Sequence, residues 1–199
     1  MFADLIVKNR SCRRFHQDQP VSRGTLEALV ELARLSASAA NLQPLRFILS
    51  CNPDKNSQIF SSLGWAGYLS DWPGPAVGEQ PAAYIIILGD VSSTRYLGFD
   101  CGIAAQSMLL GARDQGLAGC MIANVNRKKL RVLLDIPNSF KIPLVLAIGK
   151  PKETVTIESM GPDSNVKYWR DSKGVHHVPK RSLSDLILKT YDDNREMDP

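Results

Sequence analysis

The sequence predicts an α+β domain with a central sheet, helices around it and a long C-terminal extension. Two short apolar runs, residues 82–90 and 142–150, have the composition of strands buried in a sheet. Residues 22–35 place apolar side chains at helical spacing, and the longer segment 99–115 is rich in Ala, Gly, Leu and Met. At 199 residues the chain fits one domain, of which residues 163–199 form a polar extension.

The first half of the chain starts with the helix of residues 22–35, for which Ser22 is the expected N-cap because its hydroxyl can accept a backbone N–H. A strand is predicted over residues 45–51. Gly, Pro and Asp then accumulate over residues 64–81, which indicates an irregular segment. The run 82–90 follows as a strand that is buried on both faces.

The second half alternates helices and strands. Residues 99–115 are apolar nearly all round, which is typical of a helix in a core or at a subunit interface. "GLAGCMI" (116–122) predicts a strand, residues 126–135 predict a short basic helix, and a further buried strand follows. A final short helix or arm is expected within 179–191, and "DDNREMDP" (192–199) is expected to be a frayed, solvated tail.

Composition and charge exclude several classes of protein. With 44% hydrophobic and 22% charged residues the chain is an ordinary globular protein, and its apolar runs are too short to cross a bilayer. The N-terminus lacks the pattern of a signal peptide, so a cytoplasmic location is expected. The net charge of +4 suits an anionic ligand but does not by itself indicate nucleic-acid binding.

The cysteines and histidines are spaced too widely for a metal site, which predicts no metal and reduced thiols with a packing role. They are Cys12, Cys51, Cys101, Cys120, His16, His176 and His177. The adjacent pair His176–His177 lies in a polar stretch, where surface exposure is the expectation. No Ser/His/Asp set, Cys/His set or glycine-rich phosphate loop is present, so an enzyme of this sequence would draw its reactive chemistry from a cofactor.

Residues 9–15, "NRSCRRF", concentrate three arginines and a serine near the N-terminus. They could form the C-terminal end of a helix, where cations interact favourably with the helix dipole and stay solvated. Alternatively they could bind a phosphate, since guanidinium groups clamp phosphate oxygens bidentately and a serine hydroxyl adds a donor. The segment alone leaves both interpretations open.

Residues 36–47, "SASAANLQPLRF", end the first helix, because Pro44 blocks its continuation. Asn41 and Gln43 could cap the backbone of an ordinary loop. They could also read the edge of a heterocycle, because amides carry both donors and acceptors. Both interpretations stay open on these residues alone.

Taken together, the segments "NRSCRRF", "SASAANLQPLRF", "DCGIAAQSMLLGARDQGLAGC" (100–120) and "AIGKPKE" (147–153), followed by a basic pair before "SLSDLI", resemble the FMN-dependent nitroreductase family in order and spacing. The resemblance covers about residues 1–190. It implies a mainly antiparallel sheet flanked by helices, a C-terminal extension exchanged across a homodimer, and FMN at the subunit interface. The apolar helix 99–115 would be the dimer helix.

The resemblance also assigns the cofactor site. Arg10, Ser11 and Arg13 would hold the phosphate, which Lys180 and Arg181 would complete. A second group of residues would contact the flavin, in part from the partner subunit: Ala37, Ser38, Ala39, Asn41 and Gln43. A third group would lie near the flavin N5: Ala123 and Asn124. The sequence departs from the family at Asn9, Ala37 and Asn124, and Arg14 falls on a variable position where solvent exposure is expected.

The function that the resemblance implies is oxidation of NADH or NADPH through the flavin and reduction of an electron-poor acceptor, such as a nitroaromatic or a quinone. No side chain is assigned a catalytic role. Trp65, Tyr68 and Trp72 lie in the irregular segment and could face the substrate or serve as packing anchors.

Two alternatives remain. The same flavin fold could catalyse dehalogenation, dehydrogenation or flavin breakdown. Alternatively, the basic N-terminus and "NRKKLR" (126–131) could form a non-enzymatic nucleic-acid or nucleotide-binding module, which would bind with strong salt dependence.

Overall fold

A computed structural model describes residues 2–92, 95–161 and 165–191. The predicted tail, 192–199, lies outside the described residues. In chain order the elements are α1 (Phe2–Lys8), β1 (Phe15–His16), α2 (Arg23–Leu35), a 3-10 turn (Ala39–Asn41), β2 (Leu45–Ser50), α3 (Pro53–Phe60), β3 (Ala83–Asp90), α4 (Leu97–Asp114), β4 (Ala118–Ile122), α5 (Arg127–Leu133), β5 (Phe140–Pro151), β6 (Val155–Ser159), β7 (Trp169–Arg170), β8 (His176–Lys180) and α6 (Leu183–Leu186).

A five-stranded sheet forms the centre of the fold, and the long strand β5 organises it. Strand β5 pairs with β3, which in turn pairs with β2, and it also pairs with β4 and, near its C-terminal end, with the short β1. All of these pairs are antiparallel. The prediction of an α+β fold with a mainly antiparallel sheet is therefore confirmed.

Strand β3 is a continuous apolar run because helices cover both faces of the sheet. Ile85 and Ile87 pack against α2 and α4, whereas Tyr84 and Ile86 point to the opposite face, which α3 and α5 cover. The alternation follows from the two-residue period of a strand. Each of these side chains is fully buried, and each such burial contributes roughly 1.5–3 kcal/mol. The expectation of a strand buried on both faces is confirmed.

The two helices on one face begin and pack as their sequences indicate. Ser22 caps α2 by accepting a hydrogen bond from the Thr25 N–H at 3.0 Å. Helix α4 buries one side in the core but leaves Phe99 70% exposed and Ile103 39% exposed. Leu32 and Leu35 of the neighbouring α2 are also exposed. We call these four residues the α2–α4 patch.

The C-terminal part is richer in structure than the sequence indicated. A second sheet has the order β6-β8-β7, with β6 parallel to β8 and β7 antiparallel to it. This sheet buries His176, so the expected surface position of that histidine is wrong. Beyond it, α6 begins with a capping box at Ser182 and Asp185, while Leu183, Leu186 and Leu188 are exposed.

Arg14 lies in an ion-pair cluster centred on Glu79, so its expected solvent exposure is wrong. Its guanidinium donates two hydrogen bonds to the carboxylate, at 2.7 and 2.6 Å, and Lys152 Nζ lies 3.1 Å from the same carboxylate. These cations lower the pKa of Glu79 from 4.5 to about 2, the Arg14 hydrogen bonds contributing most. The cluster joins the N-terminal segment, the irregular loop and the end of β5.

Replacing Glu79 with glutamine is expected to lower the free energy of unfolding by about 1–2 kcal/mol at neutral pH. The carboxyl pKa is depressed in the folded state, so this stabilisation is complete above pH 4.5 and is lost as the pH falls towards 2. Urea unfolding of both proteins across this range measures it. Glu27→Gln, which removes an exposed ion pair with Arg23, is the control and should change little. A constant difference between wild type and E79Q down to pH 2 would contradict the assignment.

Candidate functional site

The N-terminal basic segment lies across the start of β4. The Cys12 N–H donates to the Gly119 carbonyl at 2.9 Å, and Ser11 forms a bridge with the same glycine. The Arg13 N–H donates to the carboxylate of Glu153, a residue whose side chain is fully buried. Backbone contacts therefore hold this segment, and they leave the arginine side chains available for other partners.

The guanidinium of Arg13 is buried and forms no ion pair with a described residue. Its guanidinium lies 4.7 Å from the centre of the Tyr168 ring and 3.1 Å from His176 Nε2. No carboxylate among the described residues pairs with it. A buried charge without an opposite charge is costly, and such an arrangement is typical of a site that binds an anion.

His176 is neutral at pH 7. Burial, reinforced by the nearby charges of Arg13 and Arg170, lowers its pKa from 6.5 to about 4. The neutral ring accepts a hydrogen bond from Arg13 through Nε2, which leaves the proton on Nδ1. That Nδ1 is buried and has no hydrogen-bond partner in the described part of the chain. His176 therefore orients Arg13 without neutralising or repelling it.

A cavity of about 180 Å³ opens beside Arg13, at the end of β4. It brings together Arg13, Ala123 and Asn124, which the resemblance assigned to the cofactor site, with Trp65 and Tyr168. A Cβ on Gly64 would lie 2.1 Å from the Asn124 amide nitrogen, so a larger residue at position 64 would displace the Asn124 side chain. Trp65 Nε1 is buried without a partner in the described residues.

The three aromatic residues expected at the substrate entrance have different surroundings. Trp65 lines the cavity and packs on Phe60, with ring centres 5.6 Å apart. Trp72 is covered by the Arg170 guanidinium, 4.6 Å above its ring, and serves as a packing anchor. Tyr68 is exposed and packs on Tyr168 at 4.9 Å. Tyr68 is therefore the residue of this set that is best placed to contact a ligand entering from solvent.

Ala37, Ser38 and Gln43 line a different cavity, of about 370 Å³, between α2 and β2. It shares no lining residue with the cavity beside Arg13. Asn41 is exposed next to it. The structure thus divides the expected flavin contacts into two separate groups, one around Arg13 and one around Ser38.

Residues 38–43, which we call the amide loop, have a strained backbone. Ala40, Asn41 and Gln43 have φ values of 50°, 54° and 48°. Non-glycine residues in this left-handed region each raise the free energy by about 1–2 kcal/mol. Backbone strain of this kind concentrates at functional sites.

Asp100 of α4 supports the amide loop. It opens the segment 100–120 that carries part of the family resemblance, but the resemblance assigned it no role. Ser38 Oγ donates to one carboxylate oxygen at 2.7 Å, and the Ala39 N–H donates to the other at 2.9 Å. The same hydroxyl accepts the Gln43 N–H at 3.0 Å. The available signal was an acidic residue within an apolar helix, because such a residue is buried only when it has partners.

The remaining candidates lie apart from Arg13. Arg10 donates to the Ile6 carbonyl at 2.8 Å and lines a third cavity with Lys8, Arg113 and Lys152. Asn9, a departure from the family pattern, is buried, and its N–H closes α1. Lys180 and Arg181 are exposed at the far end of β8, roughly 13 Å along the strand from His176. Within one subunit they do not meet Arg13.

Two further findings concern the whole described chain. Among residues 2–92, 95–161 and 165–191, no helix combines the length and hydrophobicity that a bilayer crossing requires. Within the same ranges no group of three or more His, Cys, Asp or Glu side chains could hold a metal ion.

Comparison with known proteins gives consistent matches. The family model described as "Nitroreductase family" matches residues 6–150. The oxygen-insensitive NADPH nitroreductase of Helicobacter acinonychis is 26% identical over 198 residues, covering 83% of this chain and 94% of that protein. The NADPH-flavin oxidoreductase of Vibrio harveyi is 21% identical, covering 95% of this chain and 78% of that protein. The structure of an FMN-dependent nitroreductase from Clostridium difficile R20291 aligns with a TM-score of 0.62 at 23% identity, covering 75% of this chain and 87% of that one.

Proposed function

Since the chain belongs to the nitroreductase family, we propose that it is an FMN-dependent oxidoreductase that oxidises NADH or NADPH and reduces an electron-poor acceptor such as a nitroaromatic or a quinone. The names of its relatives support the reaction class: an NADPH nitroreductase and an NADPH-flavin oxidoreductase. A solved structure of the same fold is named as FMN-dependent.

Arg13 is the observation that carries the proposal. FMN combines an anionic phosphate with a ring whose edge alternates donors and acceptors, so it requires buried positive charge and amide groups. The buried, unpaired Arg13 guanidinium and the Asn124 amide beside one cavity fit that requirement, as do the Asn41 and Gln43 amides in the other group. When bound, FMN would supply hydride transfer between the nicotinamide and the acceptor.

The side chains would bind and orient rather than react. Arg13 would stabilise negative charge on the cofactor in a partly dry site, where such charges interact strongly. Arg10 and Ser11 would bind the phosphate, Ala37 and Ala39 would add backbone contacts, and Ala123 would lie on the N5 side. Tyr68 would stack on planar ligands, and Trp65 would exclude water from the cavity wall.

A homodimer would join the two separated groups of cofactor residues. Because the cavities around Arg13 and Ser38 share no residue, a complete site requires the amide loop of one subunit to approach Arg13 of another. The α2–α4 patch offers an apolar surface for that association. Without a partner subunit, the side chains of Phe99 and Leu35 would stay exposed to water.

The C-terminal extension would cross to the partner subunit. Leu183, Leu186 and Leu188 are exposed, and a second subunit would cover them. Lys180 and Arg181 precede this segment, so exchange would carry them towards the partner's phosphate group and explain their distance from Arg13 in their own subunit.

A cytoplasmic location is part of the proposal. The four cysteines are free, and a reducing compartment keeps thiols in that state. Nucleic-acid binding is not part of it. Arg127 donates to the Ile142 and Ala123 carbonyls, and Arg131 donates to those of Pro137 and Phe140. These two cations of the basic helix therefore bind the start of β5 and the neighbouring loops.

The visible spectrum of the purified protein tests the proposal. We expect a yellow protein with a flavin absorption band that bleaches on adding NADH or NADPH without oxygen and returns on adding an acceptor. A screen of nitro compounds, quinones, halogenated aromatics and free flavin distinguishes reduction from dehalogenation and flavin breakdown. A colourless protein that takes up no added FMN would refute the central claim.

A further inference from the structure

We propose that Asp100 is a positioning residue that holds the amide loop in the conformation in which it contacts the cofactor. The expected effect of Asp100 on cofactor binding rests on the proposed function. The loop itself can be measured without any cofactor. Asp100 would act through Ser38 and Ala39 and would not touch the flavin.

The contacts of Asp100 are directed at one segment. Its two carboxylate oxygens accept from Ser38 Oγ at 2.7 Å and from the Ala39 N–H at 2.9 Å. Ser38 Oγ then accepts from the Gln43 N–H at 3.0 Å, which connects the start of the loop to its end. One carboxylate thus fixes both sides of a six-residue segment.

The loop depends on this support because its own hydrogen bonds are few. Within it the Asn41 N–H donates to the Ser38 carbonyl, the Leu42 N–H to the Ala39 carbonyl, and Gln43 Nε2 to the Asn41 carbonyl, all between near neighbours in sequence. From outside the loop, Arg46 donates to the Gln43 carbonyl at 3.2 Å. Three of its residues occupy the left-handed region that L side chains rarely adopt. A strained, locally bonded segment keeps one conformation only when surrounding structure imposes it.

The position of Asp100 suits this role. It lies in the first turn of α4, where the helix dipole stabilises negative charge and so permits a buried carboxylate without a cation. Of the charged residues that line the same cavity, Glu31 and Arg34 pair with each other at 2.6 Å. Among the described residues, the hydrogen bonds of the Asp100 carboxylate go to the hydroxyl of Ser38 and the amide of Ala39.

A structural role for Asp100 that did not concern the loop would only lower stability. Asn56 provides the matched control, because it is a buried polar residue that accepts from Ser50 and donates to the Ala82 carbonyl, each at 2.7 Å. It lines neither cavity that contains the cofactor candidates. Asn56→Ala should therefore lower the melting temperature without changing the loop.

The experiment measures hydrogen exchange of the Ala39 and Gln43 amides in flavin-free protein, then FMN affinity by fluorescence titration. In Asp100→Ala we expect both amides to exchange about tenfold faster and the Kd for FMN to rise about tenfold. Asp100→Asn, which keeps one acceptor oxygen, should fall between wild type and D100A. In Ser38→Ala the Gln43 amide should exchange faster, because it loses its acceptor, while exchange of the Ala39 amide should stay slow. This variant replaces D100A in the test if D100A folds poorly.

The outcomes separate the two proposals. Unchanged exchange of Ala39 and Gln43 in D100A or D100N would overturn the positioning role, as would an equal loss of FMN affinity in N56A. A wild-type protein that binds no FMN would overturn the proposed function, and the exchange data would still decide whether Asp100 fixes the loop.

Discussion

Replacing Arg13 with alanine is expected to weaken FMN binding by about 100-fold or more, so that the purified variant is colourless. The guanidinium is buried, has no carboxylate partner in the described residues, and lines the cavity with Ala123 and Asn124. Its removal would take a buried positive charge away from the cofactor anion, and breaking such a buried pair costs several kilocalories per mole. Fluorescence titration with FMN measures the loss, because flavin emission changes on binding.

The matched control is Arg23→Ala, which removes an exposed arginine at the start of α2 that pairs with Glu27. It lowers the net charge by the same amount, so it corrects for long-range attraction of an anionic ligand. We expect its FMN affinity to equal that of wild type. If R13A bound FMN with wild-type affinity, Arg13 would not be part of the cofactor site.

Replacing Gly119 with valine is expected to lower the free energy of unfolding by about 3 kcal/mol and to displace the N-terminal segment. A Cβ at this position would lie 2.5 Å from a methyl carbon of Leu109 and 2.7 Å from the Ala147 carbonyl oxygen. The second contact is with backbone of β5 and cannot be relieved by a rotamer change. Because Cys12 donates to the Gly119 carbonyl, flavin binding should weaken together with stability.

Gly24→Ala is the control for that substitution. Gly24 lies in the first turn of α2, and an added Cβ would make only one ordinary contact, 3.8 Å from Ser22 Oγ. Alanine favours helix more than glycine does, so this variant should be slightly more stable than wild type. Urea unfolding of both variants provides the comparison. A G119V protein as stable as wild type would contradict the tight approach of β4 and β5.

The sequence predicts the central sheet well because its strands have both faces covered. Burial on two sides requires continuous apolar runs, and no surface segment imitates residues 83–88. Helix α2 is equally clear, since its apolar spacing and its Ser22 cap agree. Short elements without such a pattern, α1, α3 and β1, were not predicted.

The second sheet could not be predicted from local pattern. Its parallel pair β6 and β8 is separated in sequence by more than a dozen residues, and most residues of both strands are half-buried or exposed. A histidine within such a strand has no local signal of burial. His176 contacts Tyr168 nearby and Arg13, which is 163 residues away in sequence. The second contact could not be read from a local pattern.

Arg13, Ser38 and Asn124 were identified as site candidates by the family resemblance and not by their residue types alone. Their chemistry is too common for composition to select them. A residue that acts through hydrogen bonds to others, such as Glu153, carries no signature of its own in a single sequence. Asp100 carries only the general one of an acidic residue within an apolar helix. The division of the candidates into two groups is likewise a property of the folded chain.

The buried carboxylate of Glu153 has a consequence for how the protein is made. It receives the Arg13 N–H across 140 residues and the Arg170 guanidinium at 3.1 Å from the other direction. Closing so long a segment carries an entropic penalty and slows folding. During synthesis the segment that contains Arg13 would leave the ribosome long before Glu153 and Arg170, so it could reach its final position only after both of these residues have been made.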